Sequence, residues 1–175
     1  CVEAENYHEK YDRTPDGGSQ EVHYWDTQSG IGGYVGDGYV VNLPDERCES
    51  CHDPDSPRNN SGPELVYNIK INDPGDYDVW VRGRSKGGES NGCHIGIDGE
   101  LKSAGSNMSG FRPYNQWIWE HGHKDYSAEP VLTLSEGMHT LHLWGRDDGW
   151  SCDRILLTKG SSPSGDGPAE SELVN

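Results

Sequence analysis

Phenylalanine is nearly missing from this chain, with one in 175 residues, and methionine occurs only twice. No run of about 18 apolar residues is present, so no segment has the composition of a membrane-spanning helix. Nor does any window repeat apolar residues at helical spacing for three turns. Positive charge is scarce as well: 14 Lys and Arg face 30 Asp and Glu, a formal net charge of −16. Such a surface repels nucleic acid and anionic membranes at range, and it disfavours a polyanionic partner. What apolar weight there is lies in six Trp and nine Tyr, whose polar handles suit half-exposed surfaces. Turns are plentiful, with 24 Gly and 10 Pro. The expected fold is therefore all-β, a jelly-roll type of β-sandwich made of two antiparallel sheets with little or no helix.

A chain of 175 residues suits one domain and a tail. Strand signals fall near 2–7, 32–42, 64–71, 76–84, 93–98, 117–121, 130–135, 138–145 and 153–158. In the segment 65–71, Leu65, Tyr67, Ile69 and Ile71 share one face. Further on, Tyr77, Val79 and Val81 alternate with Asp78, Trp80 and Arg82. Composition changes after Lys159, so residues 1–159 are expected to form the domain. The Gly, Ser, Pro and acidic residues of 160–175 read as a flexible linker to a further domain.

Five cysteines in a Gly-rich, acidic β protein point to an oxidising compartment, hence a secreted or cell-surface location for a chain that starts after any leader. Cys48, Cys51, Cys93 and Cys152 are the disulfide candidates, paired 48 with 51 and 93 with 152 or crosswise, and Cys1 is left over. Cys48-Glu49-Ser50-Cys51-His52 also matches the attachment pattern of c-type haem, but its flanks are polar where a haem needs an apolar pocket. Zinc at the same residues lacks a visible fourth ligand. His121 and His123 share a strand face and carry no assignment.

Strand parity places the turns at 72–75, 98–100 and 135–137 at one end, and the connections 44–62, 85–92, 105–116 and 146–151 at the other. That second end collects Asn91, Arg112, Tyr114, Trp117, Asp147, Asp148 and Trp150, flat aromatic faces mixed with hydrogen-bonding groups. Sugars ask for this mixture, because they have apolar C–H faces and ordered hydroxyls. Trp150 follows Asp-Asp-Gly in a polar loop, which suggests an exposed indole. Asp147 and Asp148 are the better candidates for glycan-cleaving carboxylates, but adjacent side chains do not face each other. Elsewhere, Glu3 and Glu5 project from one face of a strand and repel unless a cation or an Arg sits between them.

Val2-Glu3-Ala4-Glu5-Asn6, the run Gly33 to Val40, Pro74 to Arg82, Trp117 to Trp119, Leu134 to His139 and Asp153-Arg154-Ile155 occur in this order. Together, over residues 2–158, they resemble the calcium-containing carbohydrate-binding modules of families 6 and 35. The resemblance implies a structural Ca2+ held by Glu3, Glu5, Asp153 and oxygens from the loop before Gly33, where Asp26, Thr27, Ser29 and Gly30 stand. It implies a non-catalytic, monomeric module that tethers a secreted enzyme, through a catalytic domain in the same polypeptide, to a neutral polysaccharide. The expected sugar contacts are Tyr34, Tyr114, Trp117 and Trp150 for stacking, and Asn91, Asp148 and Ser151 for hydroxyls, with Arg112 beside them. Two departures stand out: the segment 44–62 is long, and Ser151 replaces an Asn that many relatives carry two residues before the terminal Asp. The rival expectations are an extracellular adhesion sandwich that binds a protein, and a haem, redox or glycan-cleaving domain.

Overall fold

The structure, a computed structural model, describes residues 1–14, 21–46, 62–101, 108–121, 131–172 and 174. Among them are thirteen strands and no helix. The strands are β1 (Val2–Glu3), β2 (Glu9–Tyr11), β3 (Tyr24–Gln28), β4 (Tyr39–Leu43), β5 (Glu64–Ile71), β6 (Gly75–Arg84) and β7 (Gly92–Ile97). After them come β8 (Glu100–Leu101), β9 (Met108–Ser109), β10 (Ile118–Glu120), β11 (Val131–Leu134), β12 (Gly137–Gly145) and β13 (Ser151–Thr158).

Two antiparallel sheets form the β-sandwich. One runs β10-β6-β13-β4-β3, with β11 beside the first half of β6 and β1 beside the middle of β13. The other runs β2-β5-β12-β7-β8, with β9 beside β7. Alternation decides which side chains meet between the sheets. Leu65 and Tyr67 of β5, Val79 and Val81 of β6, Ile95 of β7, Leu141 and Leu143 of β12 and Ile155 of β13 are all buried there, while Ile69 and Tyr77 pack at its margin. The turns after β5, β7 and β11 lie at one end, as the register Gly137 with Ile71, Ile97 with Leu141 and Leu134 with Gly75 requires.

Two short edge strands, β2 and β3, had no clear alternation to announce them, and the strand expected over 32–42 begins only at Tyr39. Gly33 at φ +91° and Gly36 at φ +75° break the extended backbone, so residues 29–38 form a loop, held to the first sheet by Arg82 on the Gly33 carbonyl and by Asp153 on the Val35 N–H. The tail differs from expectation more sharply. Instead of a flexible linker, residues 164–171 lie on the outer face of the first sheet, with Arg82, Arg154 and Trp119 hydrogen-bonded to their backbone or to Asp166.

Candidate binding site

β13 changes partner along its length, and this creates the acidic centre. Ser151 and Cys152 pair with β4, a register shift falls between Cys152 and Arg154, and Arg154 and Ile155 then pair with β1. Asp153 sits in the shift with its side chain fully buried. Its Oδ1 accepts the Val35 N–H at 3.0 Å and its Oδ2 is held by Arg82. Burial outweighs both partners and raises the Asp153 carboxyl. Beside it, Glu3 Oε1 takes Arg154 Nη2 at 2.5 Å, and Glu5 Oε1 accepts the N–H groups of Asp37 and Gly38, each at 3.0 Å.

The second oxygens of both glutamates, Glu3 Oε2 and Glu5 Oε2, are buried with no hydrogen-bond partner among the described residues. The two carboxylates meet at Gly36, where a Cβ would stand 2.7 Å from the free Glu3 Oε2 and 2.7 Å from Glu5 Oε1, the hydrogen-bonded oxygen of Glu5. Burial first, and then the neighbouring Glu3, push Glu5 up to about 7 despite its backbone hydrogen bonds. A buried and a half-buried carboxylate, each with one shielded and orphaned oxygen, fit a hard cation, which completes its shell with backbone oxygens and water. Of the loop expected to supply those oxygens, Thr27 and the Gln28 carbonyl lie against Gly38. Asp26 is instead tied to Gln28 at 2.9 Å, Ser29 is exposed, and Gly30 faces open space. Among the described residues no three acidic, His or Cys side chains form a cage, because Asp153 is turned onto Arg82.

At the loop end, the expected sugar contacts divide. Trp150 is fully buried between the sheets, its ring edge-on to Trp25 at 6.3 Å and tilted against Phe111 at 5.0 Å. The expectation of an exposed stacking indole is thus wrong, since the polar loop delivers Trp150 into the space that Gly83 leaves free. Asp148 and Ser151, 4% and 2% exposed, are likewise unavailable to a ligand. The Asp148 carboxylate caps the Glu46 N–H at 2.7 Å, and Ser151 is enclosed in the sheet between β4 and β6. Asp147 is turned inward too, taking Arg146 at 2.8 Å and the Asn91 N–H at 3.1 Å. Asn91 is half-buried and serves its own loop, donating to the Gly88 carbonyl at 2.5 Å.

Trp117, Tyr34, Tyr114 and Arg112 remain at the surface, in two groups: Trp117 with Tyr34, and Arg112 with Tyr114. Tyr39 contacts Tyr34 at 5.6 Å and Trp117 at 5.2 Å between ring centres. Trp117 is half-buried: its indole N–H donates to the Gly32 carbonyl at 3.1 Å and its ring rests on Gly33. Arg112 lies 5.3 Å over the Tyr114 ring. Sequence reasoning missed two neighbours, Arg84, which is outward on β6, and Asn115, whose Oδ1 accepts Arg84 Nη2 at 2.9 Å. Their signal was available in part, for Arg84 continues the outward series of Asp78, Trp80 and Arg82.

Cys93 and Cys152 both point into the core as free thiols, each pushed well up by burial, so neither the pairing of 93 with 152 nor a crosswise bond from either of them is formed. Cys1 is also free, while Cys48, Cys51, His52 and His123 lie outside the described residues. A separate cavity of about 680 Å3 opens at the turn end, floored by Val2, Ile69, Ile71, Tyr77 and Leu157, far along the strands from Trp117.

The two-sheet sandwich has the fold of carbohydrate-binding modules of families 35 and 6, by superposition on solved structures. A family 35 module from Paenibacillus barcinonensis superposes with a TM-score of 0.54 at 15% identity, over 87% of this chain and 99% of that one. The C-terminal family 6 module of a Zobellia galactanivorans laminarinase gives 0.52 at 14% identity, over 90% and 97%. A GH26-CBM35 β-(1,4)-mannanase from Podospora anserina gives 0.55 at 14% identity, over 93% of this chain and 28% of the enzyme. In sequence, 105 residues are 33% identical to a Formosa agariphila protein called "Uncharacterized protein P23", spanning 56% of this chain and 25% of that protein. This chain thus corresponds to about a quarter of each of these two longer proteins. No family profile matches it. Among the described residues, no helix is long and apolar enough to cross a membrane.

Proposed function

We propose that this chain is a secreted or cell-surface, non-catalytic module that binds a neutral polysaccharide at the loop end of the first sheet. The observation that carries the reading is the Trp117 indole, half-buried against Tyr39 and Tyr34 and flanked by Arg84 and Asn115. Such a platform offers a flat apolar face to a sugar ring, and the guanidinium and amide beside it can meet hydroxyls. In this reading Tyr114 and Arg112, stacked on each other at the same end, add further contacts. The carboxylates Asp147 and Asp148 are turned inward onto loop partners, which suits binding without bond cleavage. The net charge of −16 favours a neutral glycan over a polyanion. Correspondence to a part of a longer mannanase supports a role in tethering a catalytic domain.

In this reading Glu3 and Glu5 hold a structural Ca2+, which neutralises the two carboxylates and fixes the 29–38 loop on which Trp117 rests. Affinity electrophoresis through gels of mannan, xylan, β-glucan, agar and alginate tests the proposal. Retardation in at least one neutral gel and none in alginate is expected. Free migration in every gel would overturn the reading and favour a protein partner for the same surface.

A further inference from the structure

Residues 164–171 have the composition of a solvated linker but the contacts of a built element. Gly165 at φ +54° and Gly167 at φ +78° adopt a conformation that suits glycine. A Cβ at Gly167 would stand 2.5 Å from Trp119 Cζ2, so the chain passes directly over that indole, whose N–H donates to the Gly165 carbonyl at 3.1 Å. From β10 the segment crosses β6, where Arg82 Nη2 donates to Asp166 Oδ1 at 3.0 Å. It then crosses β13, where Arg154 Nη1 donates to the carbonyls of Asp166 at 2.7 Å and Pro168 at 2.8 Å. Over β1, Glu170 accepts the Glu3 N–H at 3.0 Å and the Asn6 amide at 2.9 Å, and the Ser171 N–H reaches the Cys1 carbonyl at 2.9 Å.

Both arginines have a second allegiance. Arg82 also holds Asp153, and Arg154 also holds Glu3. With the segment in place their side chains are 7% and 3% exposed; opening it returns donors to water, while Arg82 keeps Asp153 and the Gly33 carbonyl and Arg154 keeps Glu3. Each arginine therefore ties the segment to the acidic centre, and Glu3 is gripped by Arg154 on one side and by Glu170 on the other.

We propose that residues 164–171 form a latch whose closure is coupled to cation binding at Glu3 and Glu5. The inference rests on the reading of these glutamates as cation ligands. With a cation on the free oxygens of Glu3 and Glu5, Glu3 is fixed and Arg154 keeps its remaining donors on the latch. Without it, the two carboxylates repel, and Glu3 is drawn further onto Arg154 in competition with the carbonyls of Asp166 and Pro168. Coupling of this kind is reciprocal, so whatever opens the latch weakens the cation by the same factor.

Hydrogen exchange of the full chain, followed by mass spectrometry with Ca2+ alone or with chelator, tests the coupling. Chelation should speed exchange across 164–171 by roughly tenfold or more, within the usual range of coupling between sites, while β5, β6 and β12 stay protected. Gly167→Val, and independently Asp166→Asn, should free the latch even with Ca2+ present and weaken Ca2+ binding, measured by calorimetry, by a matching factor. If Ca2+ binds but latch exchange is the same with and without it, the coupling is refuted and the cation reading stands. If calorimetry shows no Ca2+ binding at all, both fail together.

Discussion

Trp150→Ala separates a core role from a sugar-binding role most sharply. The indole is fully buried and packs on Trp25 and Phe111 over the gap at Gly83, so truncation opens a cavity at the centre of the loop end of the core. Removing a large aromatic from such a place costs about 3–5 kcal/mol. For a domain of this size each kcal/mol shifts the melting temperature by about 2–4 °C, so a fall of roughly 6–20 °C is expected. The indole N–H has no partner among the described residues, so no hydrogen bond adds to the loss, and Trp150→Phe should recover much of the stability. Denaturant unfolding followed by circular dichroism measures both variants. An alanine variant with wild-type stability that no longer binds polysaccharide would show that Trp150 contacts the ligand, and would refute its placement in the core.

Chelation of Ca2+ should lower the melting temperature by about 5–10 °C if the cation is normally near a hundredfold above its dissociation constant. Glu5→Ala should abolish that response, whereas equal melting curves with and without chelator would exclude a structural cation. The Cys93 and Cys152 thiols, pushed up by burial, should resist alkylation in the native protein and react once it is denatured; modification of the native protein would contradict their burial, and failure to react when denatured would indicate a disulfide. His139 Nδ1 lies 2.8 Å from Asp98 Oδ2, and that hydrogen bond raises the imidazole, while burial of Asp98 is outweighed by the Thr140 N–H and by His139, which lower its carboxyl. The raised group stabilises the fold below its unfolded value of about 6.5 and loses that effect as pH rises through its folded value; the lowered one acts above about 3.9 and fades on acidification. His139→Ala should therefore cost most stability near roughly pH 5–6 and less above pH 8, and a cost that does not vary with pH would refute the pairing.

Much of the fold was legible because the apolar residues Leu65, Tyr67, Ile69 and Ile71 of β5 and Tyr77, Val79 and Val81 of β6 recur at every second position, and a period of two fixes which side chains face the other sheet. β2 and β3 were not legible, since Glu9, Lys10 and Tyr11 are all exposed at an edge and leave no pattern to read. The glutamate pair was legible as a repulsion that needs a partner. That Asp153 belongs to Arg82 was not, because it depends on a register shift in β13 that no local signal marks. Trp150 misled for a related reason: a polar loop was taken as evidence of exposure, but exposure depends on the glycine across the sheet, Gly83. In the tail, composition argued for disorder, whereas partners far away in the sequence, Arg82 and Arg154, hydrogen-bond it to the sheet.

The central claim is that Trp117 is a sugar platform. A wild-type and Trp117→Ala comparison in whichever polysaccharide gel retards the protein, with melting curves recorded alongside, tests it most directly. A stacked aromatic at the centre of a site contributes about 2 kcal/mol or more, so affinity should fall roughly 30-fold. The half-buried position of Trp117 predicts a change in melting temperature well below that of Trp150→Ala. Undiminished retardation by a folded Trp117→Ala protein would contradict the account.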